Sequence, residues 1–151
     1  MTKTLIIVRH AHALPGYVAR VNTDAERPLS EEGFAKARQT AGQLLSRRLQ
    51  PGLILTSPLL RARQTAEVLA QTLGFPLQTA AELNGMHEEQ DVFEFLWENL
   101  QTRDTVIAVG HNPNVSYLTH LLAKQVRPFS PGSFAVFSFT DKTPNLVYFG
   151  E

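Results

Sequence analysis

Basic and imidazole side chains follow three short hydrophobic runs of this sequence. They are Arg9 and His10 after residues 5–8, Arg61 soon after residues 53–56, and His111 directly after residues 105–110. A guanidinium fork matches two phosphate oxygens and stays charged at any working pH. A neutral imidazole, with an ordinary pKa of about 6.5, is a competent nucleophile near neutrality. Brought together, these groups predict phosphoryl transfer, in which fixed donors stabilise the transferred group without a metal.

The three runs are typical of strands that are buried on both faces, and helical patterns follow each of them. Ser30 is a candidate N-cap for the first helix, which we expect to end at Pro51-Gly52. Ser57-Pro58 is predicted to open the second helix, and Gly74 to end it. Asn112-Pro113 is predicted to start the last helix.

The remaining elements define the expected fold. Residues 77–79 favour a short strand, residues 133–140 alternate as a half-exposed strand, and residues 146–149 pair with it in a closing hairpin. We therefore predict a single domain over residues 1–151: a three-layer α/β/α sandwich around a mostly parallel sheet with an antiparallel C-terminal edge. Ligands of open α/β sheets bind beyond the carboxyl ends of the strands, where the basic and imidazole groups would meet.

Composition excludes several classes of function. Lys plus Arg equals Asp plus Glu, 14 each, so there is no global electrostatic reason to bind nucleic acid or an anionic membrane. The absence of cysteine excludes a thiol nucleophile and Cys-ligated zinc. The apolar run at residues 5–8 is too short for a signal peptide, and no later stretch could span a bilayer, so we expect a cytoplasmic protein.

Four segments, in order along the chain, resemble the motifs of the histidine phosphatase superfamily. They are Arg9-His10-Ala11, Arg27-Pro28-Leu29-Ser30 with Gly33, residues 57–65, and Gly110-His111-Asn112-Pro113. Within the superfamily, the short length and the Arg-Pro-Leu and His-Asn-Pro variants are most similar to SixA-type phosphohistidine phosphatases. The resemblance covers nearly the whole chain and implies a phosphoglycerate mutase-like fold with no cofactor.

The resemblance also implies roles for individual residues. His10 would be phosphorylated and then hydrolysed, Arg9 and Arg61 would clamp the phosphoryl oxygens, and His111 would complete the pocket as a donor. Arg27 matches a family position near the pocket entrance and would contact substrate, although it could equally brace the loop before the helix that starts at Ser30.

Other candidates follow from the residues themselves. Asn112 stands at the start of a helix whose backbone N–H groups could bind an anion. His12 could be a proton donor, a pocket wall or an exposed loop residue. His10 and His12 face the same way on an extended backbone, so a metal site with His111 is an alternative, which the adjacent Arg9 disfavours.

The expected general acid is missing. Superfamily members that act on alcohol phosphates carry a glutamate two residues after a leucine, whereas here Leu83 is followed by Asn84 and Gly85. Glu82 and His12 are the nearest substitutes, and Glu88 is a remote one. An alkoxide leaving group needs a proton, an assistance worth roughly 10²–10⁴-fold, whereas the imidazole of a phosphohistidine leaves more readily.

We therefore predict a metal-independent phosphatase that acts on phosphohistidine in a signalling or phosphotransfer protein, such as a histidine-containing phosphotransfer domain. Three alternatives remain open. They are a broad-specificity phosphomonoesterase for small phosphorylated substrates, a metallohydrolase, and a non-catalytic module that binds phosphoproteins.

Overall fold

A six-stranded sheet forms the centre of the computed structural model, which describes residues 2–151. Its strands are β1 (Thr2–Arg9), β2 (Gly52–Thr56), β3 (Leu77–Thr79), β4 (Thr105–Gly110), β5 (Phe134–Thr140) and β6 (Thr143–Gly150). Their order is β3-β2-β4-β1-β5-β6; the first four are parallel, and β5 and β6 are antiparallel to their neighbours. The predicted sheet, with its antiparallel C-terminal edge, is confirmed.

Helices cover both faces of this sheet. They are α1 (Gly16–Ala19), α2 (Glu31–Ser46), α3 (Leu60–Leu73), α4 (Glu89–Leu100) and α5 (Asn114–Ala123), with single 3₁₀ turns at Asp24–Glu26 and Ala81–Leu83. Because strand side chains alternate between faces, Ile6 and Val8 pack with α2 and α3, whereas Leu5 and Ile7 pack with α4 and α5. The three-layer architecture follows from this alternation.

Local signals account for most helix ends. The Ser30 hydroxyl accepts a hydrogen bond from the Gly33 N–H at 3.0 Å and so caps α2. Gly74 ends α3 with a positive φ of 73°. Helices α3 and α5 begin later than predicted, at Leu60 and Asn114, because residues just beyond β2 and β4 form loops.

The prediction that residues 133–140 form a half-exposed strand is wrong. On one face of β5, Phe137 and Phe139 are buried in the apolar cluster that includes side chains of α4 and α5. On the other face, Phe134 and Val136 are buried in the cluster that includes side chains of α2 and α3. The strand is therefore covered on both faces, and β6 pairs with its outer edge. Within residues 2–151, no helix combines the length and apolar character needed to cross a membrane.

Candidate active site

His10 lies immediately beyond the carboxyl end of β1. Its backbone N–H donates to the carbonyl of Gly110, the last residue of β4, at 3.0 Å. The ring Nδ1 lies 2.7 Å from the Ala11 carbonyl oxygen. A carbonyl can only accept, so Nδ1 carries the ring proton and Nε2 keeps its lone pair. This is the tautomer that a nucleophilic Nε2 requires.

The surroundings of His10 keep its ring neutral. Burial is the largest cause that lowers its pKa to about 4, and the charges of Arg61, Arg9 and Arg27 act in the same direction. The hydrogen bond to the Ala11 carbonyl opposes these effects. The uncharged ring therefore lies in a positive field, which suits it to meet an anionic substrate.

His111 follows β4, and its ring lies beside that of His10. The two ring centroids are 5.1 Å apart, and the planes are inclined by 59°. Nε2 of His111 lies 2.6 Å from the Ser57 hydroxyl, which also accepts the Leu59 N–H at 3.2 Å. Its Nδ1 is buried and has no hydrogen-bond partner within residues 2–151. Burial, followed by the charges of His10 and Arg61, lowers the pKa of His111 to about 4.

Arg9 ends β1 and is held by the segment that precedes β5. Its Nη1 donates to the Phe129 carbonyl at 2.7 Å, and its backbone N–H donates to the Ser133 carbonyl at 3.0 Å. Within the described residues, its buried Nε has no partner. Burial lowers the pKa of the Arg9 guanidinium. A buried N–H without a partner is uncommon in a folded protein, and it marks Arg9 as a residue whose hydrogen-bonding capacity is not fully used.

Arg61 lies in the first turn of α3 and is buried, with only 8% of its surface exposed. Its Nη1 donates to the Asp24 backbone carbonyl at 2.8 Å, and its Nη2 donates to the Asp24 carboxylate at 2.9 Å. The other carboxylate oxygen of Asp24 accepts from Arg27 Nη1 at 3.0 Å. Asp24 thus links the two arginines, and their hydrogen bonds hold the pKa of its carboxyl below the usual range.

Arg27 shows the bracing contacts that the sequence left as one of two possibilities. Its Nε donates to the Leu14 carbonyl at 2.8 Å, which ties the loop between β1 and α2 to itself. Its charge also acts on His10. The structure therefore places Arg27 both in the loop framework and within electrostatic reach of the proposed nucleophile.

The structure separates His12 and Asn112 from the central pair. The exposed His12 turns its Nδ1 to the Ser30 hydroxyl, 2.7 Å away at the start of α2. Asn112 is exposed, and its side-chain oxygen accepts from Ser116. Within residues 2–151, no group of three or more histidine or acidic side chains is arranged to hold a metal ion.

Glu82 lies in the wall of a cavity of about 30 Å³ that His111 also lines. The rest of the wall combines apolar residues of α4, α5 and the sheet with Gly85 and the polar residues His87, Glu89 and Asn114. Gly85 has a φ of +91°, and a Cβ added there would lie 3.9 Å from His111 Cδ2. The candidate proton donor therefore borders the same cavity as His111.

Three residues of the site region were not singled out by sequence reasoning. Ser57, considered only as a helix start, is the partner of His111. The Thr65 hydroxyl accepts the Ala11 N–H at 3.1 Å and so fixes the residue that follows His10. Asp24 binds both arginines; its position three residues before Arg27 was the one available signal.

Comparisons with known proteins identify the family of this chain. The family model of the histidine phosphatase superfamily (branch 1) matches residues 5–92. An uncharacterized protein of Picosynechococcus sp. (strain ATCC 27264 / PCC 7002 / PR-6) is 34% identical over 118 residues, which cover 74% of this chain and 69% of that protein.

Solved structures share the fold over the whole chain. The protein histidine phosphatase SixA, complexed with tungstate, has a TM-score of 0.86 and 24% identity and covers 98% of this chain and 96% of its own. A SixA protein from Agrobacterium tumefaciens has a TM-score of 0.82 and 26% identity, with coverage of 99% and 97%. A mycobacterial glucosyl-3-phosphoglycerate phosphatase has a TM-score of 0.75 and 18% identity, with coverage of 99% and 100%.

Proposed function

The chain belongs to the histidine phosphatase superfamily, and on that premise we propose that it is a phosphatase that forms a phosphohistidine intermediate on His10. The observation that carries the proposal is the state of the His10 ring. Its proton is held on Nδ1 by the Ala11 carbonyl, and Nε2 is free in the field of three arginines.

The proposed reaction has two displacement steps at phosphorus. His10 Nε2 forms a bond to phosphorus while the bond from phosphorus to the substrate's leaving group breaks, and the leaving group takes up a proton from the solvent. Water then attacks phosphorus, the bond to Nε2 breaks, and orthophosphate leaves with His10 restored. Arg9 and Arg61 bind the phosphoryl oxygens in both steps, and His111 donates to them.

We propose phosphohistidine in a protein as the substrate. At the position of the family's acid, two residues after Leu83, the chain has Gly85, which contributes no carboxylate. The neighbouring Asn84 accepts the Met86 N–H at 2.8 Å through its side-chain oxygen. The chain from β3 to α4 contains only one 3₁₀ turn and no lid insertion that would enclose a small metabolite. An open site accommodates a substrate whose fold stays outside, and the SixA structures are similar over nearly the whole chain.

Rapid quenching with a ³²P-labelled phosphohistidine protein tests the intermediate. We expect acid-labile, base-stable label on His10 in the wild type, and at least about a 10³-fold loss of turnover in His10→Ala, because the nucleophile is removed. His12→Ala is the matched control, since this neighbouring imidazole binds Ser30, and it should retain the label. Label on another side chain would contradict the mechanism. Phosphate-analogue binding without any phosphoenzyme would favour a non-catalytic binding module.

A second candidate is a small-molecule phosphomonoesterase, which is favoured by Glu82 because this carboxylate lines the same cavity as His111. The two candidates differ in their need for an acid. Parallel turnover of a phosphohistidine protein and of sugar phosphates by wild type and Glu82→Gln separates them. We expect preference for the phosphohistidine protein and little change in Glu82→Gln. Preference for sugar phosphates, lost in that variant, would establish the second candidate.

A further inference from the structure

Asp24 is the only acidic residue within residues 2–151 that forms ion pairs with two of the arginines acting on His10. It belongs to the 3₁₀ turn Asp24–Glu26, in the loop that joins β1 to α2. Its two carboxylate oxygens divide between the arginines, at 2.9 Å from Arg61 Nη2 and 3.0 Å from Arg27 Nη1. Its backbone carbonyl takes a second N–H of Arg61.

These contacts engage only part of the Arg61 guanidinium. A guanidinium has five N–H donors, and Asp24 accepts from Nη1 and Nη2, so three N–H bonds remain, including the one on Nε. Arg61 is also the cation with the largest charge effect on His10. Because Asp24 fixes the outer end of the Arg61 side chain, the remaining N–H donors can bind a phosphoryl oxygen without a further change of rotamer.

The charge of Asp24 could act in the opposite direction, by repelling an anionic substrate. Asp24 is largely exposed, with 65% of its side chain accessible, so solvent and salt screen that repulsion. Arg61 is almost entirely buried, and a long buried side chain without its anchor loses the orientation on which bidentate binding depends. The fixed orientation of Arg61 should therefore strengthen anion binding more than the charge of Asp24 weakens it.

We propose that Asp24 is a positioning residue of the phosphoryl site, which holds Arg61 and Arg27 as a pair directed toward His10. This inference rests on the proposed function, because it assigns Asp24 to the same oxyanion site. Asp24 itself does not touch the reacting atoms; it acts through the two arginines.

Calorimetric titration with tungstate, an inert analogue of the phosphoryl group, tests the assignment in the full-length chain. We expect Asp24→Ala to weaken tungstate binding about tenfold, an effect in the range measured for hydrogen bonds to charged groups. Asp24→Asn should weaken tungstate binding nearly as much as Asp24→Ala, because the amide offers one acceptor oxygen in place of the two carboxylate oxygens. Glu26→Ala is the matched control, since Glu26 lies in the same turn and accepts only from Thr23.

A double-mutant cycle distinguishes positioning from support of the loop alone. In an Arg61→Ala background, Asp24→Ala should weaken tungstate binding clearly less than tenfold, because Arg27 is then the only one left of the two arginines through which Asp24 acts. An equal loss in both backgrounds, or wild-type affinity in Asp24→Asn, would assign Asp24 to loop structure and overturn the proposal. Tighter binding in Asp24→Ala would show competition with the oxyanion and would also overturn it.

The same titration separates this inference from the proposed function. A wild-type chain that binds no tungstate would contradict the oxyanion site itself, and with it both proposals. Wild-type binding that is unchanged by Asp24→Ala would overturn the role of Asp24 alone. Thermal unfolding of each variant confirms that the compared proteins are folded.

Discussion

At the scale of single residues, backbone carbonyls set the orientation of the central groups. The Ala11 carbonyl places the proton of His10 on Nδ1, and the Phe129 carbonyl holds one end of Arg9. Neither acceptor depends on its own side chain, so substitution of Ala11 by another small residue need not disturb it.

The lowered pKa of His10 predicts an unusual pH profile. A nucleophilic imidazole must be neutral, and the pKa of His10 is about 4 where its ordinary value is 6.5. As pH falls, its activity should therefore persist past 6.5 and decline only near 4. We expect kcat/KM for a phosphohistidine protein to change less than twofold between pH 7 and about 5.5. A decline centred at pH 6.5, absent from a substrate-only control, would contradict this.

Residue types and their positions at strand ends were sufficient to single out four candidate site residues, but not the contacts that support them. These four residues stand out because each carries a cationic or nucleophilic side chain and follows a recognisable strand. They are Arg9, His10, Arg61 and His111. Asp24 and Ser57 were not singled out, since their roles arise from side-chain contacts with residues 37 and 54 positions away. Such pairings depend on packing, which periodicity does not specify.

At the scale of elements, the closest approach in the site region is that of α2 to the segment after β1. The Ser30 N–H donates to the His12 carbonyl at 3.0 Å, two residues beyond His10. A Cβ on Gly33 would overlap the oxygen of this carbonyl, so glycine is required by space rather than by its backbone angles. The helix N-terminus and the loop that carries His10 are therefore joined at one point.

We predict that Gly33→Ala lowers the free energy of unfolding by about 3 kcal/mol, because a backbone carbonyl cannot move aside as a flexible side chain can. The shift would also displace the loop after His10, so tungstate affinity should fall as well. Gly42→Ala is the control, because a Cβ at this position in the middle of α2 meets no atom within 4 Å. Urea unfolding of both variants measures the difference, and equal stability would contradict the overlap.

At the scale of the whole molecule, the two central histidines couple stability to pH. Each has a pKa of about 4 in the folded chain and about 6.5 when unfolded, so below pH 6.5 the unfolded state binds more protons. Stability should therefore be complete above pH 6.5 and decrease as pH falls toward 4. In this range, each histidine should lower the free energy of unfolding by at most about 1.4 kcal/mol per pH unit.

Unfolding free energies between pH 7 and 4.5 check this coupling. His111→Asn should show a shallower decrease than the wild type, because one of the two titrating rings is removed. Ser116→Ala, at a position on α5 without a titratable side chain, should leave the slope unchanged. Parallel curves for all three proteins would show that the central histidines do not carry the dependence.

The overall architecture could be predicted because strand and helix periods are local signals, and the boundaries of β4 agree with the expected ones. The burial of β5 on both faces could not be predicted from the sequence, since the residues that cover it lie in α2, α3, α4 and α5. A run with alternating residue types has the same pattern whether one face or both are covered. Only the tertiary arrangement decides between them.

The position of β1 has a consequence for how the chain acquires its active form. Among the six strands of the sheet, β1 comes first in sequence order, but its two neighbours in the sheet are β4 and β5, at residues 105–110 and 134–140. Its partners are therefore distant in sequence, and closing such long loops slows folding. His10, which directly follows β1, therefore takes up its position only after these two distant strands have paired with β1.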